Sequence, residues 1–346
     1  MFSKRRIHKT CLYIFLIIIT FIGTTFVRNQ RSYDINFNEM NSIHEIRELR
    51  STRKTFQDKK VTKSISEIFA TFPELSDHVV FFNRVPKSGS EMLVLLMQWM
   101  QGVNGFKHIR LPGSNIRRLS RHQQEKLVEK VTDALHDETI PLTFDRHVYF
   151  VNFTSFGRQS PTFLNLVRDP IDKATSRFYY SRVTPNPLNP DLHGIPLLRK
   201  KFLDRTKSFE QCVKSEDPEC SFETGKSYDL TIPYFCGHEE WCMSLNNHKA
   251  LQRAKANVDR YFPVVGILEE LNATLVVLEK KLPYFFKGVQ DMYFTQLLEP
   301  HKNRNRQRPR KLNELIKKQL ETRLELEYEF YYWLHNRLLK QFNALL

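Results

Sequence analysis

Val79-Val80-Phe81-Phe82 is a run of four apolar, β-favouring residues that follows a long polar stretch. It is short enough for a buried strand. Pro86 and Gly89 break the run, and residues 92–100 resume with helix-favouring residues and a broad apolar face. Strand, tight loop and helix in that order bring free backbone N–H groups and the positive helix end to one point, a place for a phosphate or sulfate. Lys87 and the hydroxyls of Ser88 and Ser90 add a charge and donors on either side of Gly89. The nucleotide-triphosphatase loop requires GxxxxGK[ST]. Here the lysine precedes the glycine, so the usual ATP or GTP loop is absent. A plain strand-to-helix turn with an incidental lysine fits the same residues.

Further on, Leu119, Leu127, Val128, Val131 and Leu135 predict an amphipathic helix over residues 117–135. Its Arg117, Arg118 and Arg121 fit either a solvated face or part of a polyanion track. Residues 147–153 and 162–167 read as a second and a third strand, and Pro170 opens a helix with residues 171–182 as its body. Strands alternating with helices predict a three-layer α/β domain around a mostly parallel sheet. Ligands of such sheets collect at the carboxyl ends of the strands, where the Lys87 loop and Arg168 both fall. Residues 183–245 hold many prolines and read as an irregular excursion. A late strand is predicted at 261–265, a helix at 268–286, and one long amphipathic helix at 312–345.

Composition narrows the setting. The chain has 346 residues, enough for one large domain with appendages, and a formal charge of +15. That charge implies a polyanionic partner without choosing among nucleic acid, an anionic membrane and a sulfated polysaccharide. Residues 11–27 are uncharged and mostly apolar, and Lys4, Arg5, Arg6 and Lys9 precede them. They predict a type II signal anchor, against a cleaved signal peptide, with residues 1–10 in the cytosol, 28–72 as a polar lumenal stem and 73–346 as the globular domain. Subtracting the four basic tail residues from +15 leaves +11 for the remainder.

Cys212, Cys220, Cys236 and Cys242 form an even, clustered set, which in a lumenal protein reads as two disulfides. Three pairings are possible, and nearest-neighbour closure, 212–220 and 236–242, is the one expected. Zinc held by Cys236, His238 and Cys242 competes, but a structural site wants a fourth ligand and shorter spacing. Asn152-Phe153-Thr154 and Asn272-Ala273-Thr274 are glycosylation sequons in that compartment.

Arg168-Asp169-Pro170 ends a strand, and Ser176 follows two helical turns later. Arginine there can take a terminal phosphate as a fork, and the serine can add a hydroxyl bond. A carboxylate partner for Arg168 and a surface role for Ser176 are equally open.

Asn83-Arg84-Val85-Pro86-Lys87-Ser88-Gly89-Ser90 resembles the 5′-phosphosulfate loop of Golgi uronyl and heparan sulfate 2-O-sulfotransferases. Arg168-Asp169-Pro170 with Ser176 resembles their 3′-phosphate element. The segment around His147, Pro233–Gly237, 265–271 and 328–331 are similar as well, so the resemblance covers roughly residues 78–340. It implies a P-loop-like sulfotransferase domain that uses 3′-phosphoadenosine 5′-phosphosulfate (PAPS) as co-substrate and no metal. In this scheme His147 is the catalytic base, Lys87 is catalytic and, with Ser88, Gly89, Ser90, Arg168 and Ser176, holds PAPS. Arg84 contacts the uronic acid carboxylate, or else makes a structural salt bridge.

The same resemblance implies a glycosaminoglycan acceptor, a Golgi membrane location and a homo-oligomer, trimeric in the family. The anchor and the cysteines disfavour nucleic acid as the partner. A 3-O- or 6-O-sulfotransferase would share the PAPS elements without the His147 segment. Two departures stand out: Glu91 directly after Ser90, and Val183-Thr184-Pro185-Asn186-Pro187 where relatives carry an acceptor loop. They leave an alternative, a catalytically impaired paralogue that binds glycosaminoglycan. Finally, residues 302–311 hold six basic residues and no acid, either a solvated linker or part of the polymer track.

Overall fold

The computed structural model describes residues 75–182, 206–297 and 312–345. The anchor, the stem, the altered loop after Arg182 and the basic run at 302–311 lie outside them.

Five strands form one wholly parallel sheet in the order β2-β3-β1-β4-β5. They are β1 (Ser76–Asn83), β2 (Lys107–Arg110), β3 (Leu142–Arg146), β4 (Pro161–Val167) and β5 (Val264–Ile267). β1 is central, with Val79 opposite Leu142 on β3 and Phe81 opposite Phe163 on β4. Its hydrophobic run is continuous because both faces are covered, as parallel sheets require. Phe81 meets Phe144, Phe153 and Phe163 at centroid distances of 6.3, 6.0 and 5.5 Å, the aromatic centre of the main core.

Eight helices matter for the site: α1 (Ser90–Asn104), α2 (Arg121–Asp137), α3 (Pro170–Arg182), α4 (Phe209–Lys214), α5 (His248–Tyr261), α6 (Leu271–Lys281), α7 (Glu314–Arg323) and α8 (Glu325–Asn343). Chain order runs from β1 outwards to β2 and back through β3, then across β1 to β4 and β5. The direction of winding reverses beside β1, so a crevice opens at its carboxyl end. A smaller core joins Ile171 and Phe178 of α3 to Phe209, the Cys212–Cys220 pair, and Leu320 and Tyr328 of the C-terminal helices.

Several elements fall elsewhere than the hydrophobic pattern put them. The second predicted strand, 147–153, is not a strand. Residues 142–146 form β3, and the apolar run after it leaves the sheet and ends in a 3-10 turn, Phe153–Phe156. The run is apolar because Val148, Phe150 and Val151 are buried in the core without ladder partners. Helix α2 starts four residues later than predicted, where Ser120 caps it and Gln123 completes a capping box. The predicted helix at 268–286 stops at Lys281, and Pro283 starts a separate turn. The predicted helix at 312–345 is two helices that break at Leu324, whose side chain is fully buried. The late strand sits three residues further on, as Val264–Ile267. Disulfides 212–220 and 236–242 are both formed, so neither Cys236 nor Cys242 is a thiolate for zinc.

Candidate active site

The carboxyl ends of the three central strands deliver the chemistry. The Lys87 loop follows β1, His147 follows β3 directly, and Arg168 follows β4 directly. Because the strands are adjacent, residues far apart in sequence share one rim.

The loop makes a tight turn. Lys87 has φ 65° and Gly89 φ 74°, so two residues occupy the left-handed region. A non-glycine held there stores strain of the kind that marks ligand clamps. A side chain at Gly89 would also collide with Leu268, 2.7 Å from where its Cβ would lie. Ser88 Oγ is fully buried and has no hydrogen-bond partner among the described residues. An orphaned buried hydroxyl beneath a turn of main-chain donors fits a site for an anion's oxygen atoms. The Lys87 ammonium lies 3.5 Å from the centroid of the Tyr180 ring. Tyr180 was not foreseen; it lies on α3, one turn beyond Ser176.

His147 Nδ1 is 3.0 Å from the main-chain oxygen of Arg84. A carbonyl only accepts, so Nδ1 carries the proton and Nε2 keeps its lone pair. Burial, followed by the charge of Arg84, lowers the imidazole pKa from 6.5 to about 4. At neutral pH the ring is therefore an uncharged base with a defined tautomer.

Arg84 is 3 % exposed. Its Nη1 donates to Asp145 at 2.8 Å, its Nε to Ser90 Oγ at 3.3 Å, and its Nη2 pairs with Glu91. Of the two readings for Arg84, the salt bridge is the one on display. Glu91 also accepts from Arg110 at 3.0 Å, so two arginines balance this acid. Burial pushes the Glu91 carboxyl up, but Arg84 and Arg110 outweigh it and hold the pKa below the ordinary value. Asp145, fully buried, is likewise pushed up by burial and brought below its usual value by His108 and Arg84. Sequence reasoning missed Asp145, since a charge inside a strand breaks the hydrophobic signal.

Arg168 donates from Nη2 to Asp172 at 2.8 Å and from Nη1 to the Lys87 carbonyl at 3.5 Å. Its Nε has no hydrogen-bond partner among the described residues, although Glu269 is 3.9 Å away. Arg168 therefore touches the loop, and Ser176 lies half-buried on α3. The loop is braced from below by a polar ladder. Asn165 donates to the Asn83 carbonyl at 2.7 Å, and Asn83 to the Tyr234 carbonyl at 2.6 Å. The buried Glu327 accepts from the N–H groups of Thr231 and Ile232 at 2.9 and 3.0 Å. Among the sequon residues, Asn272 is exposed and Asn152 accepts from Thr154 Oγ1 at 2.7 Å.

A left-handed turn over a buried hydroxyl, a strand-end arginine and an oriented neutral imidazole thus share one rim. The chain belongs to the sulfotransferase family, whose pattern matches residues 75–333. It is similar to uronyl 2-sulfotransferase of Homo sapiens, at 32 % identity over 270 residues, 73 % of this chain and 61 % of that protein. The uronyl 2-sulfotransferase homolog pip of Drosophila melanogaster is 32 % identical over 278 residues, 77 % of this chain and 53 % of that one. Heparan sulfate 2-O-sulfotransferase 1 of Gallus gallus is 30 % identical over 262 residues, 75 % of this chain and 70 % of the relative. The chain thus spans between 53 % and 61 % of the length of the two uronyl-type relatives.

Proposed function

We propose that this chain transfers a sulfuryl group from PAPS to the 2-hydroxyl of a uronic acid residue in a glycosaminoglycan or related glycan. The observation that carries the reading is the oriented imidazole of His147, whose Nε2 is the base, on the same rim as the Lys87 loop. PAPS supplies the activated sulfuryl group and, as its nucleotide, the leaving group. Nε2 of His147 takes the acceptor proton as the hydroxyl attacks. Lys87 and the loop N–H groups stabilise the charge that builds on the departing oxygen. Ser88, Gly89 and Ser90 hold the 5′ end, and Arg168 with Ser176 the 3′-phosphate. The scheme calls for no metal ion.

In the same reading residues 11–27 anchor the chain in the Golgi membrane, residues 28–72 are its stem, and the catalytic domain faces the lumen as a homo-oligomer. The two disulfides support an oxidising compartment. Protease protection of a tagged C-terminus in sealed Golgi vesicles tests the orientation.

The activity is tested by incubating the protein with radiolabelled PAPS and a panel of desulfated glycosaminoglycans, followed by disaccharide analysis. Label on the uronate 2-oxygen is expected. Binding of adenosine 3′,5′-bisphosphate without labelling of any acceptor would instead support the polymer-binding paralogue. The contacts of Glu91 with Arg84 and Arg110 speak against that alternative, because the two arginines balance its charge.

A further inference from the structure

Arg84 pairs with Asp145 and Glu91, and the acceptor carboxylate can meet further cations on the same rim. A closed circuit of contacts locates one. Lys87 lies over Tyr180 of α3. One turn back on the same helix, Arg177 Nη1 donates to Asp229 Oδ2 at 2.5 Å and to the Asp229 carbonyl at 3.3 Å. Arg117 pairs with the same Asp229 oxygen. The main-chain oxygen of Arg117 accepts from the N–H of Tyr149 at 3.1 Å. Tyr149 is two residues beyond His147, and His147 returns to Arg84 at 3.0 Å, three residues before Lys87. Arg117 and Arg177 therefore border the same opening as the base and the anion loop.

The charges around this opening do not balance. A cavity of about 650 Å³ adjoins it, lined by Tyr149, Arg177, Arg182, Lys207 and Asp229 among others. Arg182 is matched by Glu219 at 2.9 Å and Lys207 by Asp217 at 3.2 Å. Lys173, beneath, gives its ammonium to the Asp229 carbonyl at 3.3 Å and is faced by the charge of the buried Glu327. Asp229 is shared by the guanidinium groups of Arg117 and Arg177, which leaves one positive charge in excess beside the cavity. Two forks converging on one carboxylate make a seat that a second carboxylate can enter, each arginine then holding one.

We propose that Arg117 and Arg177 bind the carboxylate of the acceptor uronate, with Asp229 holding the pair in place. The inference rests on the uronyl transfer proposed above and names the residues that select the sugar. Carboxylate and 2-hydroxyl lie across one pyranose ring, so both must be met on a single rim. A neutral hexose would leave the excess charge unmatched.

The test uses the full chain, unsulfated chondroitin and its carboxyl-reduced derivative, with transfer kinetics and direct calorimetric binding of each polymer. The parent is expected to favour the uronate polymer by about tenfold to a hundredfold, the range for a charge-assisted bond. Arg177→Gln and Arg117→Gln should each raise KM for that polymer by at least about tenfold and change kcat much less. Use of the reduced polymer should change far less than use of the uronate polymer, and Arg177→Lys should restore part of the preference. Unchanged binding of adenosine 3′,5′-bisphosphate shows that each variant is folded. Equal binding of the two polymers by the parent, or a folded Arg177→Gln that keeps the full preference, overturns the assignment. If neither polymer is sulfated, the proposed transfer fails, while the two binding isotherms still decide whether Arg177 reads the carboxylate.

Discussion

The Nδ1–H of His147 is committed to the carbonyl of Arg84 at 3.0 Å, so the chain segment that forms the anion loop also sets the tautomer of the base. His147→Ala should lower transfer by about 10²–10⁴-fold and leave binding of adenosine 3′,5′-bisphosphate nearly intact. Since the pKa lies at about 4, the acid limb of the rate profile attributable to this base should fall well below 6.5. Near-normal turnover in a folded variant would remove His147 from the mechanism.

His147 and His238 are both depressed to about 4, each chiefly by burial, against 6.5 for the free side chain. The unfolded chain then binds protons more readily than the folded one between these values. Stability from both groups is intact above about pH 6.5 and is lost as the pH falls towards 4. Melting curves across that interval should show the loss, and His238→Asn should flatten it. A melting temperature independent of pH there would contradict the buried, neutral state.

Asp145→Asn removes the anion between Arg84 and His108 inside β3. Leaving a buried cation short of its partner costs about 3–5 kcal/mol. Glu91→Gln is the milder change, because Glu91 is half-exposed and Arg84 retains Asp145. It should alter donor affinity little, as Arg84 and Arg110 already balance its charge. Denaturant midpoints and calorimetric donor binding on the two variants separate these effects.

Gly89→Ala forces a β-carbon into the left-handed region, at about 1–2 kcal/mol, and displaces Leu268. Donor affinity should fall together with stability. Arg168→Ala should instead weaken binding of adenosine 3′,5′-bisphosphate with little loss of stability. Unchanged affinity in that variant would refute the 3′-phosphate assignment.

The loop at Lys87 was legible because Pro86 and Gly89 interrupt strong patterns, and Pro170 announced α3. β2 was not, since Lys107-His108-Ile109-Arg110 is a four-residue edge strand with three polar side chains. β3 was displaced because its Asp145 and Arg146 look like a strand's end, whereas the apolar residues beyond them are buried without pairing. Glu327 and Asp229 gave no local signal. Their partners lie 95 and 96 residues away for Glu327, and 52 for Arg177 with Asp229, so only the folded chain brings them together.

The anion loop, the base and Arg168 all come from residues 75–182, which contain no cysteine. Asp229 lies on the later segment, in which Cys212–Cys220 and Cys236–Cys242 close short loops on either side of it. The two halves of the site thus differ in their dependence on thiol chemistry. A chain produced in a reducing cytosol would keep residues 75–182 covalently unchanged while losing the two cross-links that flank Asp229.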